Sequence, residues 1–127
     1  MLMAIKKRAT ARQLLGARGE QLAADALIAA GYRVIRPDLR MKSGQIDILA
    51  EQGDDLVFVE VKTRRGIAFG TPAEAVTATK QRHLIAAAQE YLASIDALDR
   101  SWRIDVVSVL LTTGAPQIEI IPYAVQL

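Results

Sequence analysis

The sequence predicts an α/β fold in which helices pack on a mixed β-sheet. Segments with helical periodicity alternate with short β-branched runs, in the order αβββαβ followed by one further strand. The chain has 127 residues, of which 51% are hydrophobic, and this is enough to bury the core of one ordinary domain. Together the two observations favour a single layered domain.

The first helix and the three strands that follow it are bounded by clear signals. A helix is predicted over Arg12–Ala30, where Ala, Leu and Gln favour helix, and Gly31 suits the left-handed residue that ends it. Pro37 and Asp38 are predicted to end the first strand. The three predicted strands are Tyr32–Arg36, Gln45–Ala50 and Leu56–Lys62.

The second half of the chain predicts a loop, a long helix and two strands. The loop covers Arg65–Thr71, and Thr71 with Pro72 and Glu74 resembles a helix start with a capping box. The helix is predicted to run to about Ala93, either continuously or after a break near Thr77. Its predicted apolar stripe is Leu84, Ala87, Ala88, Tyr91 and Ile95, and the last two strands are Arg103–Leu111 and Ile118–Ile121.

The composition excludes several kinds of chemistry. The chain has no cysteine and one histidine, His83, so disulfides, cysteine nucleophiles and histidine-paired zinc sites are excluded. No signal peptide or membrane span is recognised, so we expect a cytoplasmic protein. Residues 1–11 are predicted to be a flexible basic N-terminus, and residues 12–127 a single domain. Chemistry must therefore come from carboxylates, lysine, arginine and hydroxyl groups.

One predicted hairpin brings two carboxylates together. Period-two alternation places Glu60 and Lys62 on the same face of their strand. If Ala50 pairs with Val57, then Asp47 lies opposite Glu60, with Cβ atoms about 4.5 to 5.5 Å apart. Two acids so close favour a bound divalent cation such as Mg²⁺, and Lys62 could then stabilise charge on a phosphodiester or orient water.

The same residues also have interpretations that give them no function in catalysis or binding. A Glu-x-Lys pair on a half-exposed sheet is common and has no necessary function. Glu20 has small apolar neighbours at helical spacing and is predicted to point towards the sheet, although an exposed Glu20 beside Arg12 or Arg18 is the alternative. Lys80 lies one turn before Leu84 and could reach a phosphate or remain solvated.

At the level of motifs the sequence resembles a known family. The matching segments are Gly16-Ala17-Arg18-Gly19-Glu20, Gly31-Tyr32, Ser43-Gly44-Gln45-Ile46-Asp47, Val57-Phe58-Val59-Glu60-Val61-Lys62, Phe69-Gly70 and Lys80-Gln81-Arg82. In this order they resemble the bacterial YraN family, which is similar to archaeal Holliday-junction resolvases of the PD-(D/E)xK superfamily. The resemblance implies a restriction-endonuclease-like fold with an αβββαβ core.

The resemblance also implies roles for individual residues. Asp47 and Glu60 would be metal ligands, together with the backbone carbonyl of Val61, and Lys62 would be catalytic. Glu20 would add an acid near the metal, and Lys80 would be the helical residue associated with the site. The implied activity is Mg²⁺- or Mn²⁺-dependent cleavage of structured or branched DNA, and the resolvase-like relatives imply a homodimer.

One departure from the family pattern leaves a second function open. The family motif Gly-Glu-Ile-Asp has glutamine at its second position here, Gln45, so a carboxylate near the proposed site is lost. The alternative is therefore a catalytically degenerate nucleic-acid-binding protein of the same fold. A third possibility is a partner-binding protein whose polar cluster is an internal ion network.

The basic residues are concentrated around the proposed site. The formal net charge is only +2, but five basic residues and no acid precede Glu20. Clustered cations are typical of a phosphate-tracking surface, which predicts a DNA partner. The residues predicted to contact nucleic acid are Lys6, Lys7, Arg8, Arg12, Arg18, Arg40, Lys42, Arg64, Arg65, Phe69, Lys80 and Arg82.

Overall fold

Five strands form one mixed sheet in the computed structural model, which describes residues 8–66 and 76–127. The strands are ordered β1-β2-β3-β4-β5, with β3 and β4 parallel and the other neighbours antiparallel. This is the predicted αβββαβ order of elements, followed by one further strand. Its elements are α1 (Ala11–Ala29), β1 (Arg33–Met41), β2 (Gly44–Gln52), β3 (Asp55–Arg65), α2 (Ala78–Ser94), β4 (Trp102–Leu111) and β5 (Gln117–Ile121).

The two helices cover opposite faces of the sheet. Phe58 of β3 is buried in a cluster with Leu84 and other residues of α2. Val57 and Val59 are buried in a second cluster with residues of α1. Because both faces of β3 are covered, its sequence is a nearly continuous apolar run until Glu60. Within the described ranges, no helix has the length and apolar character needed to cross a membrane.

Both ends of α1 are capped by residues next to it. Thr10 and Gln13 form a reciprocal capping box at the first turn. At the other end Gly31 has φ 92°, its N–H donates to the carbonyl of Ile28, and the next N–H, of Tyr32, donates to the carbonyl of Leu27. This pair of bonds is a Schellman motif, so the predicted role of Gly31 is confirmed.

The prediction that Pro37 and Asp38 end the first strand is wrong. Both residues lie inside β1, which continues to Met41. Proline is tolerated there because β1 is an edge strand of the sheet and has no neighbour on its outer side. A β-bulge between Val34 and Arg36 also interrupts the regular pairing of this strand with β2.

The second helix begins later and buries a slightly different stripe than predicted. Its first residue is Ala78, and Thr77 caps it by accepting a hydrogen bond from the N–H of Lys80. Of the predicted start, Thr71, Pro72 and Glu74 lie outside the described residues. Ile95 was predicted to be part of the apolar stripe, but it is 45% exposed because the helix ends at Ser94, and the buried residue on that turn is Leu92.

A carboxylate of α2 fastens the turn between β1 and β2. Glu90 accepts hydrogen bonds from the N–H of Lys42 (2.9 Å), the N–H of Ser43 (3.1 Å) and the hydroxyl of Ser43 (2.6 Å). Next to this turn, a Cβ placed on Gly44 would lie 3.1 Å from the carbonyl oxygen of His83. The hairpin that carries Asp47 is therefore held closely against α2.

Gly19→Ala is expected to destabilise the domain, because α1 lies directly on β3 at this position. A Cβ on Gly19 would be 1.8 Å from Thr63 Oγ1 and 2.8 Å from Thr63 Cβ, so the helix or the strand must move. Overpacking of this kind costs about 1–3 kcal/mol of unfolding free energy, measurable by urea denaturation.

Gly16→Ala is the matched control in the same helix. A Cβ on Gly16 meets no atom within 4 Å, so the substitution should stabilise the domain by about 0.5–1 kcal/mol through helix propensity. Equal effects at the two glycines would contradict the close contact between α1 and Thr63.

Candidate active site

Four of the five predicted catalytic side chains line one open pocket. It has a volume of about 340 Å³ and lies between the first half of α1 and the adjacent parts of β2 and β3. The four are Glu20, Asp47, Glu60 and Lys62, and the pocket is completed by Arg12, Leu15, Gly16, Val61 and Thr63.

The predicted register of the β2–β3 hairpin is confirmed. Ala50 pairs with Val57, and the ladder continues to the pair Ile48–Val59. One step further, an Asp47 carboxylate oxygen accepts a hydrogen bond of 2.8 Å from the backbone N–H of Val61. The side chain of Asp47 thus binds the backbone of β3 just beyond the last pair of the ladder.

The regular alternation of side chains breaks at Asp47. Ile46 is buried in the cluster under α2, whereas Ile48 is buried in the cluster under α1. Strict alternation would place both on one face. Pro37 pairs with Ile48, and Leu39 pairs with Ile46. Asp38 and Asp47 lie between these two pairs and are therefore opposite each other on the two strands. The backbone of Asp38 has a φ of 50°. A positive φ is costly for a residue other than glycine, and residues with such a backbone are enriched at functional sites.

Glu60 is a buried carboxylate with incomplete compensation. Its residue is 5% exposed, and its Oε2 atom has no hydrogen-bond partner. Lys80 Nζ lies 3.6 Å from that oxygen, so it forms an ion pair longer than a hydrogen bond. Burial, with a further contribution from Asp47, raises the pKa of Glu60 to about 7, and Lys80 and Lys62 oppose the shift only in part.

The pKa values of the neighbouring acids Asp47 and Glu20 are also raised. Burial raises the pKa of Asp47, although the Val61 N–H and the nearby lysines favour its charged form. The pKa of Glu20 is raised by burial first, then by the charges of Asp47 and Asp38. The pocket therefore concentrates negative charge, which a cation would neutralise.

The donor set fits a hard divalent ion bound by two carboxylates. Glu60 offers a buried oxygen that lacks a hydrogen-bond partner, beside the carboxylate of Asp47. Across residues 8–66 and 76–127, no three acidic or histidine side chains are grouped as ligands of one ion, so Glu20 does not complete a third position directly. Mg²⁺ commonly uses one or two carboxylates and keeps waters and substrate phosphate as its other ligands. The role of the Val61 carbonyl stays a prediction.

Asp38 is a carboxylate near the site that the sequence did not reveal. Its Oδ1 accepts a hydrogen bond of 2.8 Å from the amide of Gln45 and lies 3.1 Å from Nε of Arg40. Ending the first strand at Pro37 concealed it, because only a strand that continues through Pro37 brings Asp38 opposite Asp47. Gln45, which replaces the usual glutamate, therefore binds another acid on the adjacent strand.

Most of the residues predicted to contact nucleic acid lie at several places on the described part of the chain. Arg12 lines the pocket itself, and Arg18 and Arg65 line a neighbouring pocket of about 270 Å³. Arg40 pairs with Asp38, and Arg82 donates a hydrogen bond to Thr79. Arg8 and Lys42 are exposed, Arg64 and Lys80 are half-buried, and Lys6, Lys7 and Phe69 lie outside the described residues.

Comparisons with other proteins give consistent matches to one family. The model of "Uncharacterised protein family UPF0102" matches residues 19–109. A UPF0102 protein of Symbiobacterium thermophilum is 54% identical over 95 residues, covering 75% of this chain and 80% of that protein. One of Rhodococcus opacus is 50% identical over 109 residues, covering 83% and 90%.

A solved structure also aligns with this chain. It is Hjc, a Holliday junction resolvase from Archaeoglobus fulgidus, with 20% sequence identity and a TM-score of 0.46. The alignment covers 85% of this chain and 77% of that one.

Proposed function

The chain belongs to the UPF0102 family, and we propose that it is a divalent-metal-dependent endonuclease that hydrolyses phosphodiester bonds in structured or branched DNA. The observation that carries the proposal is the buried, incompletely compensated Glu60 beside Asp47, in a pocket that also presents Lys62. A carboxylate pair suits Mg²⁺ or Mn²⁺ bound together with a substrate phosphate, and a neighbouring lysine can stabilise the charge that develops during phosphodiester hydrolysis. The motif resemblance to the YraN family supports the same assignment.

Each side chain has a distinct part in this chemistry. Asp47 and Glu60 would hold the ion, which when bound polarises the phosphate and its water ligand. Lys62 would stabilise the negative charge that develops on the phosphate or orient the attacking water. Glu20, from α1, would position water on the other side of the pocket. Lys80, already paired with Glu60, would bind a phosphate oxygen once the ion neutralises that carboxylate.

The arrangement also explains how DNA would be held. The exposed basic residues around the pocket would contact phosphates rather than bases, which gives binding without sequence readout. A new oxygen–phosphorus bond to water would form as one phosphate ester bond breaks, and the leaving oxygen would take up a proton. We expect Mg²⁺ or Mn²⁺ as the only cofactor of this reaction.

A catalytically degenerate nucleic-acid-binding protein is the second candidate. Two observations favour it: Gln45 replaces an acid, and its amide is engaged by Asp38. It predicts salt-sensitive DNA binding with no metal-dependent cleavage, whereas the nuclease predicts both.

Lys62→Gln and Glu60→Gln are expected to slow cleavage strongly. Purified protein should cut nicked, flapped or four-way-junction DNA with Mn²⁺ or Mg²⁺, and each variant should lower the rate about 10²–10³-fold, the usual cost of removing one charge-stabilising group. The rates are measured on end-labelled DNA at saturating protein.

Glu119→Gln is the matched control, because Glu119 is an exposed residue of β5. It should cut at the rate of the wild type. Cleavage that persists in a chelator, or full activity in Lys62→Gln, would contradict the nuclease assignment. Salt-sensitive binding without cleavage of any DNA would instead establish the degenerate alternative.

A further inference from the structure

A second cleft adjoins the active-site pocket on the side of the edge strand. It has a volume of about 330 Å³ and lies between α1 and β1, with Ile48 of β2 as its buried floor. Glu20 lines both this cleft and the active-site pocket, so the two adjoin at its side chain. The remaining lining residues are Ala17, Gln21, Ala24, Val34 and Pro37.

The bulge in β1 builds one wall of this cleft. Val34 pairs with Ala50 and Pro37 pairs with Ile48, and both partners lie on the sheet face that α1 covers. Pro37 comes three positions after Val34, so a regular strand would send their side chains to opposite faces. The extra residue of the bulge restores the parity and presents both to α1. Ala17 and Ala24, on the helix side, are small and keep the space between the two walls open.

The hydrogen-bond acceptor of the cleft is the carboxylate of Glu20, at the side that the cleft shares with the active-site pocket. Gln21 also lines the cleft, and its side-chain amide donates one N–H to Asp25 (3.0 Å). The second N–H and the carbonyl oxygen of Gln21 take no part in that bond. Apolar walls with acceptors at one side suit a flat, mostly apolar group that carries hydrogen-bond donors.

We propose that this cleft binds an unpaired nucleobase with an exocyclic amino group, next to the phosphate that is cut. The inference rests on the proposed nuclease function and specifies its substrate, a DNA with an unpaired nucleotide beside the scissile bond. A carboxylate accepts a hydrogen bond from the amino group of cytosine, whereas the carbonyl groups of thymine would face it unfavourably. A base inside a duplex is stacked on its neighbours and paired with the opposite strand. Moving a base out of the stack costs least when that base is already unpaired.

The experiment measures DNA binding in a chelator, where no cleavage occurs. Three labelled duplexes are compared that differ only in one central extra nucleotide: none, an unpaired cytosine or an unpaired thymine. By fluorescence anisotropy the wild type should bind the duplex with the unpaired cytosine about tenfold more tightly than the fully paired one, as one good base contact allows. The gain for thymine should be smaller.

Two substitutions fill the cleft from opposite walls. Ala24→Leu acts from α1 and Val34→Phe from β1, and each should remove the preference while its affinity for the paired duplex stays within about twofold of the wild type. Ala29→Leu, on an exposed part of the same helix, should keep the preference. Thermal unfolding of every variant identifies any that fails to fold. If one of the two cleft-filling variants fails to fold, the other is used for the test.

The outcomes separate this inference from the proposed function. Equal binding of the three duplexes by the wild type, or a preference that survives in both filled variants, overturns the cleft assignment even if metal-dependent cleavage is observed. Competition by free deoxycytidine monophosphate at the affinity of the DNA overturns the assignment to a base within a strand. A cytosine preference without cleavage of any DNA overturns the nuclease and leaves the cleft assignment standing.

Discussion

Asp105→Asn should lower the free energy of unfolding by about 3–5 kcal/mol, the cost of removing one member of a buried ion pair. Asp105 is fully buried and accepts hydrogen bonds from Arg103 Nε (3.0 Å), the Tyr32 hydroxyl (2.7 Å) and the N–H of Tyr123 (3.1 Å). An amide cannot accept with both of its terminal atoms, so a donor is left facing a donor. Urea denaturation monitored by circular dichroism measures the loss.

The other partners of Arg103 provide the control. Asp55 Oδ2 lies 2.7 Å from Arg103 Nη1, but the Asp55 side chain is 22% exposed, so Asp55→Asn should cost only about 1 kcal/mol. Replacing both members with apolar residues, in Arg103→Met with Asp105→Leu, should recover much of the loss. A cost below about 1 kcal/mol for Asp105→Asn would mean that the network contributes little.

The network also has a consequence for pH. Burial raises the pKa of the Tyr32 hydroxyl to about 12, with a further contribution from its hydrogen bond to Asp105. The neutral phenol therefore stays protonated in the folded protein where an exposed tyrosine would ionise. Because these residues join the end of α1 to β4 and to the C-terminal segment, their role is to hold the fold together.

Glu60→Gln should stabilise the metal-free protein at pH 8 by about 3 kcal/mol, although the same substitution should slow the proposed cleavage. This free energy corresponds to the difference between the usual pKa of 4.5 and the raised pKa of about 7 for Glu60. The folded state holds the proton more tightly than the unfolded state, so this contribution to stability is present below pH 4.5 and is lost as the pH rises to about 7. The amide has no charge to bury and removes this loss.

Unfolding free energies measured from pH 4 to 8 in a chelator test the point. The wild type should lose stability relative to Glu60→Gln across this range, and Glu119→Gln should follow the wild type. Added Mn²⁺ should stabilise the wild type most at high pH, because protons and the metal compete for the same carboxylates. Parallel pH curves for the wild type and Glu60→Gln would show that burial of Glu60 carries no such cost.

The parts of the fold predicted correctly are those governed by local patterns. The register of the β2–β3 hairpin followed from alternation and a short turn, and it placed Asp47 next to Glu60. The ion pair of Arg103 with Asp105, at 3.0 Å, likewise joins two residues on the same side of one strand. Both depend on residues that are close in sequence or related by one turn.

The parts that were missed depend on position within the whole sheet. A proline usually ends a strand. The strand β1 continues through Pro37 only because it lies at the edge of the sheet. The acid at Asp38 was therefore not found, and neither was the bulge after Val34 that shapes the second cleft. The exposure of Ile95 follows from where α2 ends, which its apolar periodicity did not indicate.

The clamp that Glu90 places on the β1–β2 turn bears on how such a site can be inherited. The paired ladder of β2 and β3 ends before Asp47, and α2 holds the turn that precedes it. The turn that leads into the strand of Asp47 is thus held by a helix that follows both acids in the chain. A hairpin transplanted into another scaffold would carry both acids without this support. We therefore expect the site to be inherited with its whole domain rather than as an isolated hairpin.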